Sequence, residues 1–438
     1  MADTIFALSS GAGRAGVAVI RISGPHARTA FAALTARDVP APRVATLVSF
    51  AHPDTGETID RGLSIWFPAP FSYTGEDGIE LHVHGGRAVV AALLSALTRC
   101  DGLRLAEPGE FTKRAFLAGK MDLTAAEGVI DLVEADTEAQ RRQALRQAGG
   151  ALARIYDGWR DDLIKVLAYA EAELEFPDED VPTDVTESIR HHISPLLLQI
   201  TQHLEDDRRG ERLRDGVSVA IVGAPNAGKS SLLNLLAQRD AAIVSDTAGT
   251  TRDVIDVHLD LGGYPVILAD TAGLREAQDE IEAEGVVRAL ARGAEADLLV
   301  HVIDATAPQP LMPALEGRRA DVIEVWNKSD LTDGAQTDAG WLLLSAKTGA
   351  GMGAFLERLR LAVSQRFEGV GASVITRARH REALETCMLC LERAGDATLP
   401  ELATEDLRLA TRALGRVTGR VDVEEILDVV FRDFCIGK

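Results

Sequence analysis

The sequence predicts a multidomain protein in which an N-terminal α+β domain is followed by helical segments with an α/β segment inserted between them. Its 438 residues correspond to about three domains at roughly 150 residues each. The first part has short apolar runs of strand length, whereas the residues after 217 alternate strand-like and helix-like runs. Hydrophobic residues at 46% and charged residues at 26% are ordinary for globular proteins, which excludes wholesale disorder and a pure coiled coil.

Residues 1–118 are predicted to form the α+β domain. Apolar runs at 16–24, 43–50 and 63–68 have the length of strands, and turn-forming residues such as the PDTGE segment separate them. Residues 87–97 then predict one short amphipathic helix.

Helical segments are predicted on both sides of the α/β segment. Residues 119–214 carry apolar residues at three-to-four spacing with charges between them. The acidic, proline-containing run at 175–184 interrupts these helices, and the charged run at 205–216 predicts a linker. Because residues 367–438 are helical again, we expect one discontinuous helical domain.

Residues 215–366 are predicted to form the inserted α/β domain. Strand-like runs alternate with helices, and Gly262 with Gly263 predicts a hairpin turn. This alternation is typical of a mostly parallel sheet with helices on both faces.

The composition limits the classes of function. The net charge of −21 disfavours a broad basic groove for nucleic acid, so any RNA contact is expected to be local or shared with a partner. The chain has no apolar run near 18 residues and no basic, apolar leader, so we expect a soluble cytoplasmic protein without a membrane segment. Four cysteines are too few for a disulfide framework, so we expect free thiols.

The strongest motif is GAPNAGKS at 223–230, which follows an apolar strand and opens a helix. Its backbone N–H groups can surround a β-phosphate, Lys229 can reach the β and γ oxygens, and Ser230 can bind Mg²⁺. A glycine-rich turn without a ligand is the alternative, and the context weighs against it. The residues predicted to bind nucleotide here are Asn226, Ala227, Gly228, Lys229, Ser230 and Ser231.

Three further motifs follow strands in the order that a guanine-nucleotide site requires. DTAG at 270–273 can meet the metal and the γ-phosphate, and SAK at 345–347 can close over the base. Asp330, in NKSD, can accept both the imino and the amino N–H of guanine, a pairing that adenine cannot offer. The predicted residues are Asp270, Thr271, Ala272, Gly273, Asn327, Lys328, Asp330, Ser345 and Ala346.

The residues for hydrolysis differ from those of the best-known small GTPases. Leu274 stands where those proteins carry a glutamine that orients water, so we expect Glu282 to replace it, the alternative being a solvated helix-face charge. Asn226 lies in the phosphate loop, and its amide oxygen is suited to a monovalent cation beside the phosphates. Thr251, in the SDTAGTTRD segment, is expected to be the second Mg²⁺ ligand.

These motifs, with GTTRD at 249–253, resemble those of the Era-like, TrmE-type GTPases. RISG at 21–24, SYTGED at 72–77, PGEFTKRAF at 108–116 and the C-terminal FCIGK at 434–438 are similar to those of the MnmE (TrmE) family of tRNA-modification GTPases. The resemblance extends over the whole chain.

The resemblance implies an N-terminal tetrahydrofolate-binding and dimerising domain, a discontinuous helical domain and an inserted Ras-like P-loop GTPase domain. It implies a homodimer whose G domains meet in the GTP state, activated by K⁺. It also implies a flavin-dependent partner of the MnmG type that carries FAD. Together they would place an aminomethyl or carboxymethylaminomethyl group on carbon 5 of the tRNA wobble uridine. The implied K⁺ residues are Asn226, Ser245, Thr247 and Thr250, and the implied catalytic residues are Glu282, Lys229 and Cys435.

The resemblance also implies a site for a tetrahydrofolate derivative, 5-formyl- or 5,10-methylene-tetrahydrofolate. An Arg or Lys can pair with the glutamate tail of the folate, and a carboxylate can accept hydrogen bonds from the pterin. For Arg21 and Glu80 an ordinary place on the strand surface stays an alternative. The implied residues are Arg21, Glu80, Lys120 and Lys438.

Other residues carry weaker predictions. A buried core cysteine is the alternative for Cys435, and core packing is favoured over a redox or zinc site for Cys387 and Cys390. His82 and His84 share one face of a strand, where packing is favoured over metal binding. For the whole chain, a ribosome-assembly GTPase switch and a dimeric scaffold with an inactive G domain are the competing functions.

Overall fold

The structure is a computed structural model, and its secondary elements fall into two compact units. Contacts group residues 1–130, 148–186 and 396–438 as the first unit, and residues 131–147 and 187–395 as the second. Contacts therefore divide the predicted helical domain between both units, and the four-part domain division stays a prediction. The structure describes residues 3–175, 185–238, 256–270, 293–311, 313–332, 341–367, 374–421, 427, 430–432, 434, 436 and 437.

The elements follow one another along the chain in this order. The strands are β1 (Thr4–Leu8), β2 (Ala15–Ser23), β3 (Thr46–Ala51), β4 (Thr58–Phe67), β5 (Gly78–Gly85), β6 (Leu103–Leu105), β7 (Val217–Val222), β8 (Asp256–Leu261), β9 (Tyr264–Asp270), β10 (Leu298–Asp304), β11 (Val322–Asn327) and β12 (Leu342–Leu343). The helices are α1 (Ala27–Thr35), α2 (Arg87–Leu97), α3 (Glu110–Leu117), α4 (Leu123–Glu134), α5 (Glu138–Ala148), α6 (Ala151–Glu175), α7 (Val185–Leu204), α8 (Arg209–Asp215), α9 (Lys229–Ala237), α10 (Met352–Arg366), α11 (Ala378–Asp396) and α12 (Pro400–Thr418).

The first unit contains a sheet with the strand order β3-β4-β5-β2-β1-β6. Its neighbours are antiparallel except for β1 and β6. Side chains alternate between the two faces, so β2 directs Ile20 and Ile22 into a core with Phe31 of α1 and Leu93 of α2. The opposite face carries Arg21 and is partly covered by α3.

The helices of the first unit pack beside this sheet domain. Helices α6 and α12 are antiparallel, because ion pairs join Arg408 to Glu171 and Arg420 to Asp157. The C-terminal residues pack against the start of α4, where Phe431 and Phe434 lie in one cluster with Leu123.

The second unit contains the predicted α/β sheet, in the order β12-β11-β10-β7-β9-β8. All neighbouring pairs are parallel except β8 with β9, which form the predicted hairpin. The core is apolar, with Val219 of β7, Leu268 of β9, Val300 of β10 and Phe355 of α10 buried together. The mostly parallel sheet is therefore confirmed, and its carboxyl edge presents the motif loops on one side.

The charged run at 205–216 is not only a linker, as the sequence predicted, because α8 occupies part of it. Its arginines are held by carboxylates: Arg212 lies 2.6 Å from Asp297, and Arg214 lies 3.0 Å from Asp131. Asp131 also binds Arg377 at 2.6 Å. One buried carboxylate thus holds the chain where it enters the α/β sheet and where it leaves.

Helix α5 lies against the α/β sheet within the second unit. The backbone N–H of Ala139 donates to the carbonyl of Gly263 in the β8–β9 turn, at 3.0 Å. Gln140 donates to the carbonyl of Arg214 at 2.9 Å. Among the described residues, no helix is long and apolar enough to cross a membrane.

Candidate functional site

The loop between β7 and α9 leaves no room for a side chain at its first residue, Gly223, or at its last, Gly228. A Cβ at Gly223, where φ is +149°, would lie 2.3 Å from the carbonyl oxygen of Val302. A Cβ at Gly228, where φ is +98°, would lie 2.1 Å from Nδ2 of Asn327. Only glycine fits these positions, so the loop presents its backbone N–H groups as a cradle for an anion.

Lys229 begins α9 and holds its ammonium group over this loop. Its Nζ donates to the carbonyls of Gly223 at 3.0 Å and Ala224 at 2.8 Å. The N–H groups of the first turn of a helix have no partner within the helix, and the helix dipole adds positive potential there. The loop, the lysine and the helix start therefore form one phosphate-binding site.

Asn327 connects the phosphate loop to the two loops predicted to bind the base. Its Nδ2 donates to the carbonyl of Ala227 at 2.8 Å, and its Oδ1 accepts from the backbone N–H of Ala346 at 2.9 Å. The residue is 2% exposed. The amide therefore fixes the spacing between the three loops and does not face outward to a ligand.

Asp330 is held in place by Ser345. The Ser345 hydroxyl donates to Oδ1 of Asp330 at 2.6 Å, and this hydrogen bond lowers the pKa of the exposed carboxyl. With one hydrogen bond from Ser345, the carboxylate keeps lone pairs on both oxygens, which can accept the two parallel N–H donors that guanine offers.

Lys328 lies beside this carboxylate and pairs with Asp304 at the end of β10. Its backbone is left-handed, with φ +64°, and its Nζ lies 2.6 Å from Oδ2 of Asp304. Burial alone would raise the pKa of Asp304, but hydrogen bonds from Lys328 and Thr306 bring it below the usual value. The Lys328 side chain is therefore fixed along one wall of the predicted base site.

The donors for the predicted cations are described only in part. Asn226 is exposed with a left-handed backbone, φ +61°, and Ser230 is half-buried in the first turn of α9. Neither side chain has a hydrogen-bond partner among the described residues, so an amide and a hydroxyl oxygen are free to bind a cation. Hard oxygen donors fit both Mg²⁺ and K⁺.

Asp270 ends β9 and pairs in the backbone register with Ile221 of β7, two residues before Gly223. Ser231 follows Ser230 in α9 and is exposed. The remaining predicted residues lie outside the described residues. They are Ser245, Thr247, Thr250, Thr251, Thr271, Ala272, Gly273, Glu282, Cys435 and Lys438.

A second candidate site lies on the sheet of the first unit, where the structure brings Arg21 and Glu80 together. They face each other on β2 and β5, and Nη2 of Arg21 lies 3.0 Å from Oε1 of Glu80. Both residues line a cavity of about 100 Å³, with Phe67, Tyr73 and Ile79 among its other walls. Because Glu80 neutralises Arg21, the cavity holds an ion pair and not a free cation.

The sequence did not single out the aromatic residues of this cavity. The Arg21 guanidinium lies 5.3 Å from the ring centre of Tyr73 and 5.7 Å from that of Phe111. The Tyr73 hydroxyl bonds to Thr112 at 2.9 Å, and burial raises its pKa. Tyr73 lies in the SYTGED segment and Phe111 in PGEFTKRAF. The motifs therefore contained these residues, but the sequence did not indicate that they contact Arg21.

Lys120 and the C-terminal residues lie around the same domain. Nζ of Lys120 donates to the carbonyl of Pro70, in the turn that precedes the cavity wall. Ile436 pairs with Pro108, and the Ser9 hydroxyl donates to the carbonyl of Gly437 at 2.9 Å. The C-terminal motif is thus bound to the N-terminal sheet domain within one unit.

Among the weaker candidates, the two cysteines are buried packing residues and the two histidines contact carboxylates. Cys387 and Cys390 are buried in α11, and burial raises the pKa of the Cys387 thiol far above its usual value. A thiol in this state is a poor nucleophile or metal ligand. His82 lies 3.4 Å from Glu80, and His84 lies 2.9 Å from Asp60.

The chain is similar to known proteins over its whole length. The family profile for the MnmE helical domain matches residues 123–435, and that for the GTP-binding protein TrmE N-terminus matches residues 4–120. The tRNA modification GTPase MnmE of Parvibaculum lavamentivorans is 58% identical and covers 100% of both chains. That of Rhodospirillum rubrum is 54% identical over 100% of this chain and 99% of its own. The mitochondrial 5-taurinomethyluridine-[tRNA] synthase subunit GTPB3 of Danio rerio is 48% identical over 100% of this chain and 93% of its own.

Proposed function

The chain belongs to the MnmE (TrmE) family of tRNA modification GTPases, and we propose that it couples GTP hydrolysis to modification of carbon 5 of the tRNA wobble uridine. It hydrolyses GTP to GDP and phosphate. The structural observation that supports the GTP-binding part of the proposal is the amide of Asn327, which holds the phosphate loop and the base loops at one spacing.

GTP binding begins at the phosphate loop. The backbone N–H groups of the 223–228 loop, in which Pro225 has none, and of the first turn of α9 surround the β-phosphate. Lys229 exchanges the carbonyls of Gly223 and Ala224 for the β- and γ-phosphate oxygens, since all of these are acceptors for its ammonium group. Asp330, oriented by Ser345, accepts the two N–H groups of guanine.

Hydrolysis needs positive charge and an oriented water molecule. Mg²⁺ and K⁺, when bound, supply positive charge beside the phosphates. We assign Ser230 and Thr251 to Mg²⁺, and Asn226, Ser245, Thr247 and Thr250 to K⁺. Glu282 acts on the attacking water through a second water molecule, and the G domains of a homodimer meet to complete the site.

The modification reaction is proposed to involve a partner, as the family resemblance implies. We propose an FAD-dependent protein of the MnmG type, with which this chain forms a 5-aminomethyl or 5-carboxymethylaminomethyl group on uridine in the cytoplasm. The related zebrafish protein is named for a modification at the same carbon of uridine in tRNA. We assign Cys435 to this modification step.

The cavity of the first unit is proposed to bind a tetrahydrofolate derivative, the 5-formyl or 5,10-methylene form. Glu80, fixed by Arg21, accepts hydrogen bonds from the amino and ring N–H groups of the pterin. Lys120 and Lys438 are the cations proposed for its acidic end. The domain limits 1–118, 119–214, 215–366 and 367–438 are proposed with this assignment.

The first experiment compares GTP turnover in K⁺ and in Na⁺. We expect the protein to be faster in K⁺ by at least tenfold, because the cation supplies the charge that an arginine would otherwise provide. The variant Asn226→Ala should lose this difference, whereas the control Asn234→Ala, exposed on α9, should keep it. Equal rates of the parent protein in both salts would refute the potassium mechanism.

The second experiment separates Glu282 from the machinery that binds nucleotide. Glu282→Ala should bind a fluorescent GTP analogue normally but hydrolyse GTP about 10²- to 10³-fold more slowly. A normal rate of GTP hydrolysis would show that Glu282 is only a solvated surface charge.

The third experiment tests the target. Nucleoside analysis of tRNA from cells that lack the protein should show the loss of the carbon-5 modification. Normal wobble uridines together with a defect in ribosome assembly would support the ribosome-assembly switch instead.

A further inference from the structure

Two cations hold the turn at residues 68–71, which leads into the wall of the cavity. Nη2 of Arg43 donates to the carbonyl of Phe71, and Nζ of Lys120 donates to the carbonyl of Pro70. Since the two acceptors belong to neighbouring residues, the two cationic nitrogens lie within about 10 Å of each other.

Arg43 is placed against the cavity by its neighbours. Its guanidinium carbon lies 5.5 Å from the ring centre of Phe67, which lines the cavity. Its backbone has φ +62°, a region that disfavours residues with a Cβ.

We call Arg43 and Lys120 the cationic rim, and its charge differs from that of the ion pair in the cavity. Arg21 in the cavity is neutralised by Glu80, whereas Arg43 and Lys120 have no carboxylate partner among the described residues. Phe71, whose carbonyl accepts from Arg43, is 70% exposed. The turn between Phe67 and Ser72, both of which line the cavity, therefore carries an exposed aromatic ring and is contacted by two cations.

We propose that Arg43 and Lys120 form an anion-binding rim for the acidic tail of the folate, and that Arg43 makes the site prefer a tail of several linked glutamates. This inference rests on the proposed binding of a tetrahydrofolate. Phe71 packs against the aminobenzoyl group, Lys120 binds the carboxylates of the first glutamate, and Arg43 binds a carboxylate of the glutamates that follow it. A backbone carbonyl is the weaker acceptor, so a carboxylate displaces it.

The test is calorimetric titration of the full-length protein with 5-formyl-tetrahydrofolate that carries one glutamate or three. The triglutamate should bind the parent protein about fivefold more tightly. Arg43→Ala should reduce this ratio to about one while changing the affinity for the monoglutamate less than twofold. Arg43→Lys should keep part of the preference, because it keeps the charge. Arg37→Ala, exposed after α1, is the matched control and should keep the full ratio.

The outcomes separate this inference from the assignment on which it rests. Binding of the monoglutamate with no gain from two more glutamates overturns the role of Arg43 and leaves the folate site intact. A ratio that Arg43→Ala and Arg43→Gln do not change overturns it as well, and the Gln variant retains a donor for the Phe71 carbonyl if the Ala variant fails to fold. No binding of either ligand refutes the folate site itself.

Discussion

The nucleotide site and the cavity of the first unit arrange charge in different ways. At the nucleotide site, consecutive residues in loops at the edge of a parallel sheet offer backbone groups, and Asn327 bonds to other loops. In the cavity, Arg21 and Glu80 meet across neighbouring antiparallel strands and neutralise each other.

This difference affects how each site responds to change. A site made of backbone groups depends on the geometry of its loops, so its side chains act by holding the loops together. A site on a sheet face depends on single charges that come from distant parts of the chain. The nucleotide site should therefore lose activity and stability together, whereas the cavity should lose affinity alone.

The largest effect is expected from Lys229→Ala. We expect GTP hydrolysis at saturating GTP to fall by about 10³-fold, because the ammonium group is the charged donor nearest to the phosphate loop. Phosphate release measures the rate. Lys165→Ala, which removes an exposed ion pair on α6, is the control and should hydrolyse GTP normally. A loss smaller than tenfold at Lys229 would contradict its role.

Asn327→Ala should have the next largest effect, on folding as well as on binding. The substitution leaves the carbonyl of Ala227 and the N–H of Ala346 without their buried partner, which costs about 2–3 kcal/mol of the free energy of unfolding. Urea denaturation followed by fluorescence measures this, with Asn234→Ala as the exposed control. Unchanged stability would show that the loops are held by other contacts.

Glu80→Gln tests whether ligand binding in the cavity depends on the charge of Glu80. The amide keeps the shape but not the charge, so we expect the dissociation constant for 5-formyl-tetrahydrofolate to rise about tenfold. GTP hydrolysis and stability should not change. Glu57→Gln, in an exposed turn, should bind normally. If Glu80→Gln also binds normally, the ion pair serves only the sheet.

The smallest effect is expected at Asp304, and it depends on pH. Because its pKa is lower in the folded protein than the ordinary 3.8, its stabilisation is present above that value and is lost as pH falls through the folded pKa. Asp304→Asn should therefore cost about 1 kcal/mol at pH 7 and much less near pH 3. A double-mutant cycle with Lys328→Gln measures the coupling, and equal costs at both pH values would contradict it.

The positions of the nucleotide motifs at the ends of strands could be predicted from the sequence, because the residues of each motif are consecutive. The hairpin at Gly262 and the helix Arg87–Leu97 were also predicted where the structure has them. The role of Asn327 could not be predicted, since its partners Ala227 and Ala346 are near it only in the folded sheet.

The cavity and the linker were harder to predict for the same physical reason. Arg21 and Glu80 were assigned through a family resemblance, and nothing in the sequence indicated that they pair or that Arg43 lies against Phe67, which lines the same cavity. The charged run at 205–216 was interpreted as a linker, but carboxylates on distant elements such as Asp297 order its arginines. Local sequence patterns do not indicate contacts between residues that are far apart in the chain.

Asp131 binds Arg214 and Arg377, and Gly210 lies so close to Ile375 that a Cβ would sit 2.2 Å from its carbonyl oxygen. The α/β sheet is therefore an insertion between helices, and the two ends of the inserted chain lie next to each other. Closing the loop that such an insertion forms costs an entropy that grows only with the logarithm of its length, about 0.6 kcal/mol for each doubling. Evolution could lengthen or exchange that insert at little expense to the helices that carry it.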